Sequence, residues 1–145
     1  MLSFSGAKIA LIHEDRLIAY KRDDKPGIPF PGLWDLPGGG REGDESPIEC
    51  ALRELEEEFS IRIEPKRIYW SREYPGLKPE GSVTYLFVAT VTKAEIDAIR
   101  FGQEGERWAM MRIDAFIERP DAVVHLQKRL RDYLNETGLH LSAPP

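Results

Sequence analysis

Residues 39–61 read GGREGDESPIECALRELEEEFSI. Ser46-Pro47-Ile48-Glu49 is a helix start: a serine that can accept from the third helical amide, a proline where no amide partner is needed, and a glutamate placed to return the bond. The spacing predicts a helix from there to about Phe59. At about 100° per residue, Ile48, Ala51, Leu52, Leu55 and Phe59 form one apolar stripe, which must face a core. Glu54, Glu57 and Glu58 fall together on an adjacent face, because positions three and four apart are neighbours, while Glu56 points to the opposite flank. Like charges so spaced destabilise a helix by about 0.2–0.5 kcal/mol per pair, and a hard divalent cation bound by their oxygens turns that repulsion into binding. The helix alone fits a solvated acidic face equally well. Its surroundings favour a site, since Gly38, Gly39 and Gly40 form a turn that lets backbone approach a ligand and Arg53 carries a planar fork for carboxylate or phosphate.

The chain has 145 residues and a formal net charge of -5. Between Gly39 and Glu58 lie eight acids and two bases, a local charge of -6, so the remaining 17 acids and 18 bases are nearly neutral. An acidic knot in a neutral frame points to a cation site, and nothing resembles the basic stripe of a duplex nucleic-acid binder. A hydrophobic fraction of 41% and a charged fraction of 31% describe a globular chain. One cysteine excludes an intrachain disulfide or a multi-cysteine zinc site and fits a reducing compartment. No apolar run spans a membrane and Met1–Phe4 lacks a signal-peptide start, so a cytoplasmic location is expected.

Working outward, Ala7–Ile12 and Leu17–Arg22 read as strands joined by a turn at residues 13–16, and Lys25–Gly32 as a loop. Downstream, Arg67–Tyr74 and Ser82–Thr92 read as strands, the second with Val83, Tyr85, Phe87 and Ala89 on one face. Lys93–Arg100 reads as a short helix, Arg107–Arg112 as a strand and Ala122–Glu136 as an amphipathic helix. Strands around one central helix, with another helix last, predict an α/β (α+β) fold: a mixed sheet covered on both faces. One domain over residues 1–141 is expected, with residues 142–145 as a tail.

Gly39, five residues, Glu45, seven residues, then Arg53-Glu54-Leu55-Glu56-Glu57-Glu58-Phe59-Ser60-Ile61 resembles the Nudix box, G-x5-E-x7-R-E-U-x-E-E-x-G-U with U aliphatic. Only the late glycine differs, being Ser60; a non-glycine in that left-handed position costs roughly 1 kcal/mol and bears on the helix end, not on metal chemistry. The resemblance implies a Nudix-like α/β/α sandwich whose mixed sheet is bordered mainly by antiparallel strands. It also implies Mg²⁺ (with Mn²⁺ as a substitute) held by Glu57 and Glu58, with Glu54 as a metal ligand or general base. Arg53 matches a residue that orients the acids, Glu45 and Gly39 match residues supporting the box, and Gly38 matches a position whose carbonyl can reach the metal. Gly102-Gln103-Glu104-Gly105 resembles a segment of mutator-type members, which makes Glu104 a fourth carboxylate.

The activity implied is hydrolysis of a diphosphate linkage in a nucleoside diphosphate linked to X, with a nucleoside triphosphate or oxidised dNTP as the lead substrate. Nucleotide sugars, dinucleoside polyphosphates and a non-catalytic nucleotide sensor are the alternatives. Partners expected are a small nucleotide, with no duplex nucleic acid and no membrane, on a monomer or homodimer. Lys21, Arg22 and Lys25 are candidate phosphate contacts, although any one reads equally as a surface base. Trp34 can stack on a base or belong to the core, and Asp121 can accept base N–H groups or cap the following helix. Cys50 reads as packing, and His13, His125 and His140 are too scattered to form a triad.

Overall fold

The structure, a computed structural model, describes residues 3–77 and 81–138. Strand β1 (Phe4–His13) alternates two buried sets, as it must when both faces of a sheet are covered. It turns at residues 14–15 into β2 (Arg16–Lys21), but the two pair only at the hairpin end, through Ile12 with Leu17 and His13 with Arg16. Beyond that they diverge. The gap is filled by residues 34–40: β3 (Trp34–Asp35) runs beside β2, and β4 (Gly38–Gly40) runs antiparallel to β1 opposite Gly6, Ala7 and Lys8. The Ile9 amide donates to the Pro37 carbonyl at 2.9 Å where the segment crosses over. The glycines read as a turn are thus a short strand, because their pairing partner lies some thirty residues away.

On its other side β1 runs parallel to β6 (Val83–Thr90), which pairs antiparallel with β5 (Ile68–Pro75). A third edge is made by β7 (Arg107–Arg112), antiparallel to β2 over six residue pairs. The sheet is therefore mixed, with one parallel pair among antiparallel ones, as expected. Helix α1 (Pro47–Phe59) covers one face, packing Ala51, Leu55 and Phe59 against Ile9, Leu11, Ile18 and Phe87. After the short α2 (Lys93–Asp97), helices α3 (Ile113–Glu118) and α4 (Val124–Thr137) cover the other face, packing Phe116, Leu126 and Leu130 over Ala10, Leu17, Leu86 and Val88. Helices on both faces of one sheet make the α/β/α arrangement.

The start of α1 follows its residues: Ser46 accepts from the Glu49 amide at 3.2 Å and Glu49 accepts from the Ser46 amide at 2.8 Å. At its end Ser60 takes the left-handed conformation at φ 59°, so the helix stops where a glycine would stop it. The buried face is turned toward the glutamates relative to the apolar stripe: Cys50 and Glu58 are buried, whereas Ile48 and Leu52 are half-buried. The cause is β4, whose glycines present no side chains and let that flank of α1 come close. Helix α3 was not legible as a helix, being six residues that follow a strand directly. The expected tail at 142–145 and His140 lie outside the described residues. Among the described residues no helix is long and apolar enough to cross a membrane.

Candidate functional site

Arg53 is the hub of the acidic segment. Its Nε donates to Glu45 Oε2 at 2.9 Å, and one terminal nitrogen donates to Glu45 Oε1 and to the Gly40 carbonyl, each at 2.9 Å. The other donates to Glu54 Oε1 at 2.8 Å and to both oxygens of Glu57 at 3.0 and 3.1 Å, with Glu42 at 3.6 Å. Five donors in a rigid plane thus tie the helix to the loop before it. The paired guanidinium holds the Glu45 carboxyl down to about 2. Glu45 also accepts from the Glu42 amide at 2.7 Å, which fixes the loop.

The three glutamates expected on one face differ sharply in environment. Glu57 is exposed, Glu54 is half-buried, and Glu58 is 9% exposed. Burial raises the Glu54 pKa and pushes Glu58 up to about 8, against the opposing pull of Lys8. Glu58 Oε1 accepts from the Gly38 amide at 3.0 Å, and its second oxygen receives no hydrogen bond among the described residues. A carboxylate so enclosed and half-satisfied is stabilised in its charged form by a nearby cation.

Two glycines let this happen. A Cβ on Gly39 would stand 2.6 Å from Glu54 Oε2, and one on Gly38, at φ 129°, would stand 2.2 Å from the Ala7 carbonyl oxygen. The Gly38 carbonyl accepts from Lys8 Nζ at 3.2 Å on one of its two lone pairs, while the Gly38 amide serves Glu58. Lys8 also donates to Asp35 at 3.0 Å and to the Leu36 carbonyl at 3.1 Å. Neither Lys8 nor Asp35 was singled out from sequence, yet a lone lysine inside the apolar run 7–12 was a visible signal. Asp35, 2% exposed, also takes Arg22 at 3.0 Å, and both line a cavity.

That cavity, about 370 Å³, lies against Gly39 and Gly40 on the side away from α1. Lys8, Arg22 and Asp35 line it, together with Phe30, Tyr85, Val123, His125 and Arg129. The remaining expected residues lie elsewhere. Lys21 pairs with Glu106 at 3.0 Å. Lys25 and Glu104 share with Tyr20 and Arg22 a neighbouring groove, where Glu104 is exposed. Its loop is anchored to the end of α1 by the Gly102 amide, which donates to the Glu58 carbonyl at 2.8 Å.

The base-contact expectations are corrected. Trp34 is 4% exposed and belongs to the core beneath α3 and α4, flanked by the guanidiniums of Arg107 and Arg119. Strand alternation turns it inward. Asp121 is held by both arms of Arg119 at 2.8 and 3.1 Å, and neither Trp34 nor Asp121 lines the cavity. Asp121 does not cap α4 either; the residue before that helix is Val123.

With Arg53 spanning Glu54 and Glu57, no three acids, histidines or cysteines converge among the described residues as they would around a metal. The donors nevertheless suit a hard divalent cation: carboxylate oxygens, one of them buried with a free lone pair, beside a backbone that needs no side-chain space. Arg53 already has a bidentate partner in Glu45, so release of Glu54 and Glu57 leaves it anchored.

The model of the NUDIX domain matches residues 4–133. The RNA pyrophosphohydrolase of Gluconacetobacter diazotrophicus is 44% identical over 49 residues, 32% of this chain and 29% of that protein. The MutT-like protein of Streptomyces ambofaciens is 40% identical over 62 residues, 43% of this chain and 36% of that protein. The chain thus spans about a third of the length of these curated relatives. The crystal structure of the MutT protein from Methanosarcina mazei Go1 superposes with a TM-score of 0.75 at 18% identity, covering 95% of this chain and 98% of that one, a likeness of fold alone. A box matched in sequence, a matching fold and a family model covering nine-tenths of the residues agree: this chain belongs to the Nudix family.

Proposed function

We propose that this protein hydrolyses, with Mg²⁺, the diphosphate linkage of a nucleoside diphosphate joined to a second moiety X. One observation carries the reading: Gly39 and Gly40 form a wall one strand thick, with the Arg53–glutamate cluster on one side and the cavity on the other. A ligand seated in the cavity reaches the carboxylates past backbone only.

Glu54, Glu57 and Glu58 hold the cation, with Glu104 joining from the adjacent loop and Mn²⁺ able to replace Mg²⁺. When bound there, the cation supplies Lewis acidity to the diphosphate. Where Glu57 and Glu58 suffice for the cation, Glu54, half-buried and raised in pKa, is instead the carboxylate suited to take a proton from water. Arg53 and Glu45 position Glu54 and Glu57, and Glu58 orients the Gly38 amide. Lys8 and Arg22, sharing the single acid Asp35, leave net positive charge where phosphates enter. X occupies the part of the cavity lined by Tyr85 and by Phe30 and His125, whose rings pack on each other with centroids 5.5 Å apart. With Trp34 and Asp121 outside the cavity, a nucleoside triphosphate has no stronger support than a nucleotide sugar or a dinucleoside polyphosphate.

Release of phosphate, pyrophosphate or a nucleoside monophosphate is to be measured over a panel of triphosphates, nucleotide sugars and dinucleoside polyphosphates, with and without Mg²⁺. Mg²⁺-dependent cleavage of at least one class is expected. Tight binding without turnover of any of them would overturn the enzyme reading in favour of a sensor.

A further inference from the structure

Arg129 lines the same cavity as Lys8 and Arg22, and it is only 6% exposed. One terminal nitrogen donates to Thr84 Oγ1 at 3.0 Å and the other to the Pro75 carbonyl at 3.3 Å, and the guanidinium lies 4.5 Å from the centre of the Tyr74 ring. Two of its five N–H groups are thereby used. No carboxylate among the described residues comes within ion-pair distance. Asp132, which acts on it across Tyr74, accepts from the Tyr74 hydroxyl at 2.9 Å and is shared by Arg72 and Lys128. Burial lowers the Arg129 pKa, as expected of an enclosed cation short of counter-charge.

The contrast with the other cations of the lining is informative. Lys8 and Arg22 share Asp35 and are countered in part. The lining also holds the aromatic and aliphatic side chains of Phe30, Tyr85, Val123 and Leu77, with His125. The His125 ring is held neutral at physiological pH, its pKa lowered to about 4 by burial. The cavity thus carries Lys8 and Arg22, countered in part by Asp35, and Arg129, which has no carboxylate partner among the described residues, amid apolar side chains. A diphosphate beside Lys8 and Arg22 leaves Arg129 without an anionic partner among the described residues, with three of its N–H groups free to take one.

We infer that Arg129 binds an anionic group carried by X, so that the preferred substrates bear a second negative charge, a carboxylate or phosphate, beyond the scissile diphosphate. This rests on the diphosphate-hydrolase reading of the same cavity. It separates substrates that the Nudix box alone treats alike.

Matched pairs differing by one such group test it: UDP-glucuronate against UDP-glucose, and NADP⁺ against NAD⁺. Dissociation constants come from titration calorimetry, with and without Mg²⁺, and kcat/KM from product release. The charged member of at least one pair is expected to bind about tenfold more tightly or better, with the difference in KM. Arg129→Gln brings that ratio to about one, and Arg129→Lys, which keeps the charge but not the fork, retains part of it. Thermal melting of both variants reports any loosening of the β5–β6 hairpin, which would weaken both members of a pair equally. Equal affinities within both pairs, equal loss for both members in Arg129→Gln, or no binding of any of the four compounds overturns the inference. Preference in binding without turnover of any compound leaves the anion subsite standing and removes the hydrolase reading.

Discussion

Gly38 and Gly39 are neighbours in one strand, yet alanine at the two positions has opposite consequences. A Cβ on Gly39 meets the tip of Glu54 at 2.6 Å, whereas ordinary contact begins at 3.4 Å, so the carboxylate must retreat by roughly 0.8 Å. It can do so, because the obstacle is the end of a flexible side chain, and the fold should lose no more than about 1 kcal/mol. Catalysis is less forgiving: a displacement near 1 Å of a reacting group costs up to about a hundredfold. Gly39→Ala is therefore expected to lower kcat by about tenfold to a hundredfold. At Gly38 the obstacle is the Ala7 carbonyl oxygen at 2.2 Å, part of the sheet, and φ is 129°, where side chains are strained. Strain of about 1–3 kcal/mol and overpacking of similar size place Gly38→Ala roughly 2–6 kcal/mol below the parent. Urea unfolding gives the stabilities, and Mg²⁺-dependent turnover of whichever compound proves a substrate gives the rates. The reasoning fails if Gly39→Ala is destabilised as much as Gly38→Ala, or keeps full turnover while folded.

Glu57→Gln should abolish Mg²⁺-dependent turnover in a folded protein whereas Glu56→Gln, whose carboxylate pairs with Arg62 on the other flank, changes it little; equal loss in both refutes the assignment of faces. Ser60→Gly should stabilise by about 0.5–1 kcal/mol in urea, since Ser60 holds φ 59° without the freedom of glycine. His125 has a folded pKa of about 4 against 6.5 for an ordinary histidine, so the unfolded chain binds the extra proton between those values. Its contribution is present above pH 6.5 and is lost as pH falls toward 4, by about 1–3 kcal/mol, a slope that should be missing from His125→Phe in parallel melts.

Local rules made α1 readable. Its capping residues, proline and periodicity act within a few positions, and the capping box forms as its residues predict. The strands read well for the same reason, and β7 matches its expected bounds because an apolar run with an arginine at each end marks it. What was missed depends on distant partners. Lys8 looks out of place in an apolar strand until Asp35 and the Leu36 and Gly38 carbonyls surround its ammonium. The rotation of α1 that buries Glu58 follows from three glycines on another strand, which no hydrophobic periodicity within the helix can register. Trp34 stays open between base stacking and core in the sequence because an aromatic beside a glycine run carries no mark of which face it takes; its inward turn is set by pairing with Lys21.

The same separation of local from distant explains how so much negative charge is accommodated. Eight acids in twenty residues would disfavour a helix on their own, and Arg53 removes much of that cost by holding Glu45, Glu54 and Glu57 at once. Its grip on Glu45 is bidentate and supported by the Glu42 amide, whereas Glu54 and Glu57 share a single nitrogen. A divalent cation competing for the last two therefore meets the weaker half of the network, and the stronger half keeps the loop and Gly40 in place. On the proposed reading, Arg53 is thus placed to keep the site assembled without a metal while leaving the oxygens of Glu54 and Glu57 available. Glu58 completes the division: buried beside Lys8 and fixed by the Gly38 amide, it links the helix to the glycine wall without drawing on Arg53.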